Sequence, residues 1–402
     1  MTPPRRLPLL VTGQVLGGIG VASGIAVGGL LAERLSGSAS LAGLAQTSSV
    51  LGGALLAVPL ARLAELRGRS ASLGLGYLIA LGGGVGVIAA AVFDTFPVLL
   101  VAMALFGAGT AVGLQARYAA IDGVDVLHRG RTLSIVVWAT TIGSVLAPNF
   151  SGVGGRVGTA VGIPALAGPF LFSIAAFAAA AAITTFLPGG RTPLGHKDSP
   201  LTMAHAWHSV RSHPGAVAGL TAMAGAHAAM VGVMVMTPVH LGHGGATLQV
   251  IGVVISVHIA GMYALSPVMG LLTDRWGPQR TILLGVGVLL ASLLAAADSG
   301  DHEHRQVGLA LTLLGLGWSA CMVAGSALLS GSVPDDVRTR VQGLGDLVMG
   351  LTAAAAGALA GPVLDAAGYG TLALGAIGLL VPISLLTLRS RIGQRPPARS
   401  AL

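Results

Sequence analysis

Gly270-Leu-Leu-Thr-Asp274-Arg275-Trp276-Gly277 is a short charged turn between two apolar stretches, one centred near Val257 and the next near Val288. A carboxylate and a guanidinium stand side by side, and glycine closes the segment at both ends. Between two runs of the roughly 20 apolar residues that a bilayer crossing needs, such a segment reads as a turn at the membrane surface. A carboxylate at a helix end can meet a basic residue across the tight turn and form a breakable latch between helices. A plainer reading, a turn whose arginine only sets the topology, is open on the same residues.

Moving outward in both directions, the pattern recurs. The 402 residues are 53% hydrophobic and only 9% charged, with a mean hydropathy of +0.84, a balance that excludes a soluble domain of this size. Twelve apolar stretches can be read, centred near Gly20, Gly52, Gly83, Phe106, Thr141, Ala176, Gly225, Val257, Val288, Gly315, Leu351 and Ile377. An open sheet edge has no hydrogen-bond partner in hydrocarbon, and the alternating ten-residue pattern of a membrane barrel is missing, so the spans are expected to be helices. The 62 glycines then read as sites of close helix packing. The expected fold class is an all-α membrane protein with twelve transmembrane helices.

The net charge of +8 suggests nucleic acid until its positions are assigned. With the N-terminus inside, every Lys and Arg falls on the inner face except Arg34, Arg156 and Arg305, which accounts for the charge by topology. Both termini are therefore expected in the cytoplasm, with the lipid bilayer as surrounding partner and no nucleic acid. The start, Met1 to Arg6 followed by an apolar run to Ala32, exceeds a signal-peptide core and reads as the first span. The longest internal polar stretch runs from Pro188 to Pro214 and separates six spans from six. This predicts an N-terminal six-helix bundle at 1–187, a cytoplasmic linker at 188–213 and a C-terminal six-helix bundle at 214–402, with a path between the halves.

The turn quoted above has the form G-x-x-x-D-R-x-G and resembles the signature loop of the major facilitator superfamily. Its counterpart in the first half, Ala61 to Ser70, keeps Glu65, Gly68 and Arg69 but has Ala61 and Leu66 where the form wants Gly and Arg. The resemblance extends through span number, loop charge and motif position. It implies the fold of two six-helix bundles, transport by alternating access, and a gating role for Asp274 and Arg275.

A second pattern bears on chemistry. Met223, His227, Met230 and Met234 recur at steps of four, three and four on the seventh span, which puts them on one helical stripe. On the eighth span His258 and Met262 lie a turn apart, with Met269 two turns further on. Thioether sulfur and imidazole together suit Cu(I), whereas Mg, Ca and Mn want carboxylates, and no Asp or Glu interrupts Pro214 to Thr273. Neutral ligands also avoid a buried permanent charge in the empty state, which favours a site that fills and empties. Methionine is equally a flexible core filler, and a lone membrane histidine is commonly a hydrogen-bonded one. Met230-x-x-x-Met234 and His258-x-x-x-Met262 resemble the paired motifs of CcoA-like copper importers. That resemblance implies Met230, Met234, His258 and Met262 as ligands, copper as substrate with no resident cofactor, the cytoplasmic (inner) membrane of a bacterium as location, and a link to assembly of a haem-copper oxidase.

Around these four, His227, Met223, His240, Met269 and the single cysteine, Cys321, are candidate accessory ligands. His240 and His243 are read as part of the outer loop, and His302 and His304 as part of another. Asp346 beside Gln342 has two open readings, a proton carrier that couples transport to a gradient or a partner of Arg338 or Arg340. Arg117, with Asp122, is read as a gate or an interfacial anchor. A rival transporter reading is a proton-coupled exporter of drugs or small hydrophobic molecules, because Gly143 to Gly152 approaches an antiporter signature; Ala147 and Ser151 replace two of its glycines, and only 4% of residues are aromatic. No nucleophile with a positioned base stands out, so no enzyme activity and no obligate protein partner are expected.

Overall fold

The computed structural model describes residues 6–121, 138–139, 141–187, 203–300 and 303–392. Among these, helix is the regular structure and no strand occurs. Ten helical stretches are long and apolar enough to cross a membrane. One of them, Arg340–Ser390, is 51 residues long, and Gly368 at φ 79° breaks its helix, which makes two spans of it. The expected fifth span runs across residues outside the described set. The architecture is thus consistent with twelve. Residues 188–202 of the expected linker also lie outside, while Met203–Ser212 is a helix.

Breaks fall where the backbone chemistry demands them. The eighth span divides into Leu248–Tyr263 and Ser266–Trp276, with Pro267 in the first turn of the second piece, where its missing N–H has no acceptor to lose. Gly68 ends the second span at φ 93° and Gly277 ends the eighth at φ 84°, both in a conformation that costs any side chain but hydrogen. These are the two signature turns, so the same device stands at equivalent places in the two halves of the chain. Gly37 with Gly245, and Gly162 with Gly368, repeat the correspondence at two further turns.

Two cores form. One draws its buried residues from Leu10 to Leu187 and centres on Phe106, Phe170 and Phe177, whose rings meet edge-on at 5.4 Å. Each such pair contributes about 0.5–1.5 kcal/mol beyond its burial. The other core draws almost entirely on residues after Pro214 and contains Met230, Met234, Met262 and Trp318. Between them the first span packs on the seventh, the second on the eleventh and the fifth on the eighth. Bare backbone makes these approaches possible: Gly43 lies against the Gly357 carbonyl and Gly252 against the Pro148 carbonyl.

Polar contacts join these spans within the bundle, at Thr47 with the Ala354 carbonyl and Asn149 with Ser256, and two with charged side chains stand at one end. Glu33 Oε1 meets His243 Nε2 at 2.6 Å, and the Ser40 hydroxyl donates to Asp365 at 2.5 Å. At the opposite end, where the basic loops lie, Asp274, Arg275 and Trp276 are exposed, and neither charge forms an ion pair among the described residues. The latch expected at this turn is not made among the described residues.

Candidate functional site

The seventh span, Pro214–His243, is a 30-residue helix buried along most of its length. Spacing alone puts Met223, His227, Met230 and Met234 on one stripe, and packing then buries Met223, Met230 and Met234. Pro238 stands four residues after Met234 and has no N–H, so the Met234 carbonyl loses its intrahelical donor. The eighth span turns His258 and Met262 toward the tenth span, His304–Gly331, where Gly315 lies against the backbone at both residues. The seventh and eighth spans touch each other little; each packs on the tenth, which serves as their common wall.

His258 is fully buried, and its Nδ1 lies 2.7 Å from the Leu311 carbonyl. A carbonyl can only accept, so Nδ1 carries the proton and Nε2 presents its lone pair. That Nε2 is buried with no hydrogen-bond partner. A nitrogen so placed, oriented through its opposite ring atom, is in the state in which imidazole binds a metal. Met230, Met234 and Met262 belong to the hydrophobic core of this half of the chain.

Trp318 bridges the seventh and eighth spans. Its Nε1–H donates to His227 Nδ1 at 2.9 Å, and its ring meets Tyr263, the neighbour of Met262, edge-on at 5.8 Å. Sequence spacing did not single it out; the available signal was a tryptophan in a glycine-rich apolar span, whose N–H needs a partner when buried.

Several accessory ligands are corrected. His227 accepts from Trp318, so the lone pair it would offer to a metal is engaged. Met223 packs against Gly325 and accepts from the Ser326 hydroxyl at 3.5 Å, nearer the basic end. Cys321 is buried against the ninth span, with its sulfur 3.7 Å from the Ile282 carbonyl. Met269 is buried but sits beyond the break at Ala264 and Leu265, so its helical register does not continue from His258. The loop reading of His240 and His243 fails too, since the helix continues through Pro238. His240 is buried and stacked on Tyr369 at 4.2 Å, and His243 ends the helix against Glu33.

Asp274 and Arg275 occupy the exposed turn described above, and Asp346 is exposed on the eleventh span rather than sequestered in the core. Arg117 belongs to the helix Ala108–Ile121, and Asp122 and His302 lie outside the described residues. Among the described residues, no three His, Cys, Asp or Glu side chains form a metal-binding group.

The model of the Major Facilitator Superfamily matches residues 9–249 and 233–401, which is nearly the whole chain in two overlapping copies. The chain belongs to the Major Facilitator Superfamily. A relative from Bacillus subtilis strain 168, the MFS-type transporter YdeG, is 36% identical over 393 residues, covering 94% of this chain and 91% of its own. The riboflavin transporter RfnT of Brucella anthropi is 27% identical, covering 99% of this chain and 97% of its own. Among solved structures, the nucleoside transporter NupG superposes with a TM-score of 0.76 at 15% identity, covering 96% of this chain and 99% of its own. A bacterial homologue of the lysosomal transporter Spinster gives 0.73 at 15% identity, with coverage of 99% and 100%. These structures share the superfamily fold, and the chain is a membrane transporter rather than an enzyme. No copper importer is among these four proteins.

Proposed function

We propose that the protein carries copper across the cytoplasmic membrane into the cell, and that Met230, Met234, His258 and Met262 hold the ion at the midpoint of its passage. The observation that carries this reading is the His258 ring: fully buried, fixed through Nδ1, with Nε2 unpartnered, in a half of the chain whose core contains Met230, Met234 and Met262. A soft cation supplies the missing partner without requiring a buried anion. The bundles 1–187 and 214–402 rock about the site, a division supported by two nearly separate cores and by matched glycine turns. Inward direction, cytoplasmic termini and a role in haem-copper oxidase assembly follow from the resemblance to CcoA-like importers and from loop charge. A proton exchanged at Asp346 is the proposed coupling step.

The test is copper accumulation in a host lacking its own importer, comparing the intact protein with a Met230→Ala, Met234→Ala, His258→Ala, Met262→Ala variant at equal membrane abundance. Uptake that disappears in the variant supports both cargo and site. Full uptake in the variant removes the site, and no uptake by the intact protein removes the cargo.

A second reading, proton-coupled export of a small organic molecule, has one observation in its favour. His227, Trp318 and Tyr263 form an aromatic cluster against the same wall, a surface on which a planar ring can stack. Drug-resistance and efflux assays test it, with Trp318→Ala as the informative variant.

A further inference from the structure

Between the ninth span, Pro278–Ala297, and the tenth lies an open groove of about 770 Å³, lined by Leu294, Ala295, Asp298, Arg305, Gln306 and Leu309. None of the methionine and histidine residues discussed above lines it. Its floor is tied together: Gln306 Nε2 donates to the Ala295 carbonyl at 3.1 Å, and the Ser292 hydroxyl to the Ala310 carbonyl at 2.7 Å. The walls have two storeys. Leu294 and Leu309 stand 49% and 59% exposed on the apolar face of their helices. One turn nearer the membrane surface on each helix stand Asp298 and Arg305, both exposed.

The two charges are placed against their own helices. Asp298 caps the C-terminal end of the ninth span, and Arg305 is in the first turn of the tenth, whereas helix dipoles favour the opposite signs. They form no ion pair with each other or with any described residue. Neither placement helps the fold, and the combination presents one anion and one cation above two apolar side chains exposed to lipid. The complement of that pattern carries a phosphate, an ammonium and acyl chains.

We infer that this groove binds a phospholipid with a primary-ammonium headgroup. Arg305 takes the phosphate through charge-assisted hydrogen bonds, Asp298 takes the ammonium, and the chains lie along Leu294 and Leu309. An anionic phosphatidylglycerol would satisfy Arg305 but leave Asp298 facing a net negative lipid.

Native mass spectrometry of the delipidated full-length protein, titrated with phosphatidylethanolamine and with phosphatidylglycerol of matched chains, tests the assignment. The wild-type protein is expected to retain the ethanolamine lipid roughly fivefold better, the scale of one exposed charged contact. Asp298→Asn should abolish that preference while leaving phosphatidylglycerol binding intact or stronger, and Arg305→Gln should weaken both. Equal retention of the two lipids by the wild-type protein overturns the assignment, as does a preference unchanged in Asp298→Asn. Both substitutions are at exposed positions, and unchanged thermal melting in detergent confirms that the fold is kept.

Discussion

At the scale of single residues, sulfur and shape can be separated. Met230→Leu conserves volume in a core position that is 2% exposed, so its cost in stability is expected to stay below about 1.5 kcal/mol. Copper accumulation should nonetheless fall in this variant at unchanged membrane abundance; an unimpaired Met230→Leu protein would show that the methionine only fills space. Trp318→Phe keeps most of the ring but removes the N–H that His227 Nδ1 accepts. The buried acceptor left without a partner costs about 1–3 kcal/mol, visible as a lower melting temperature in detergent. Burial was legible for both residues, because a long apolar span with few charges must hide its interior face. The Trp318 bond was not, since a hydrogen bond between spans depends on their relative rotation, which no local pattern encodes.

At the scale of elements, glycines do two jobs. Gly107 lies against the Ser49 carbonyl within the first core, whereas Gly43 lies against the Gly357 carbonyl where the second and eleventh spans meet. Gly107→Val is expected to disrupt packing inside one bundle and lower membrane abundance severalfold, since an overpacked core loses about 1–3 kcal/mol or more. In contrast, Gly43→Val should leave abundance near normal and block transport, because it props apart two spans that must close against each other. Immunoblots of membranes alongside uptake distinguish the two, and equal abundance for both variants would refute the division. The turns at Gly68 and Gly277 were readable from sequence, because a positive φ requires glycine and the surrounding charges mark a surface loop. The end of the seventh span was misread at Pro238: proline usually stops a soluble helix, but in a membrane span neighbouring helices supply the packing that holds it.

For the whole molecule, the polar catches at one end and the exposed charges at the other describe a transporter closed on one side. The Glu33–His243 contact is ionic only while the imidazole carries its proton. Among the other charged groups at this end, Arg34 lies 3.7 Å from Asp94, and Asp365 accepts from Ser40. These contacts should therefore hold this end shut. A Val239→Cys variant places a thiol at a buried position against Gly29, and the native Cys321 is itself buried. Labelling by a membrane-impermeant thiol reagent is expected to rise severalfold when Glu33→Gln is added, because the carboxylate that holds His243 is lost; an unchanged rate would discard the catch.

Solvent explains what the sequence alone determined. In hydrocarbon every backbone group must bond within its own helix, so the all-helical class, the positions of the spans and the glycine turns are local consequences of composition. The methionine stripe was equally local, being a matter of helical period. Tertiary structure alone decided which lone pairs stay available: His258 keeps one because Leu311 holds its other nitrogen, and His227 does not because Trp318 engages it. Those partners lie 53 and 91 residues away along the chain, and only the packing of three helices brings them within bonding distance.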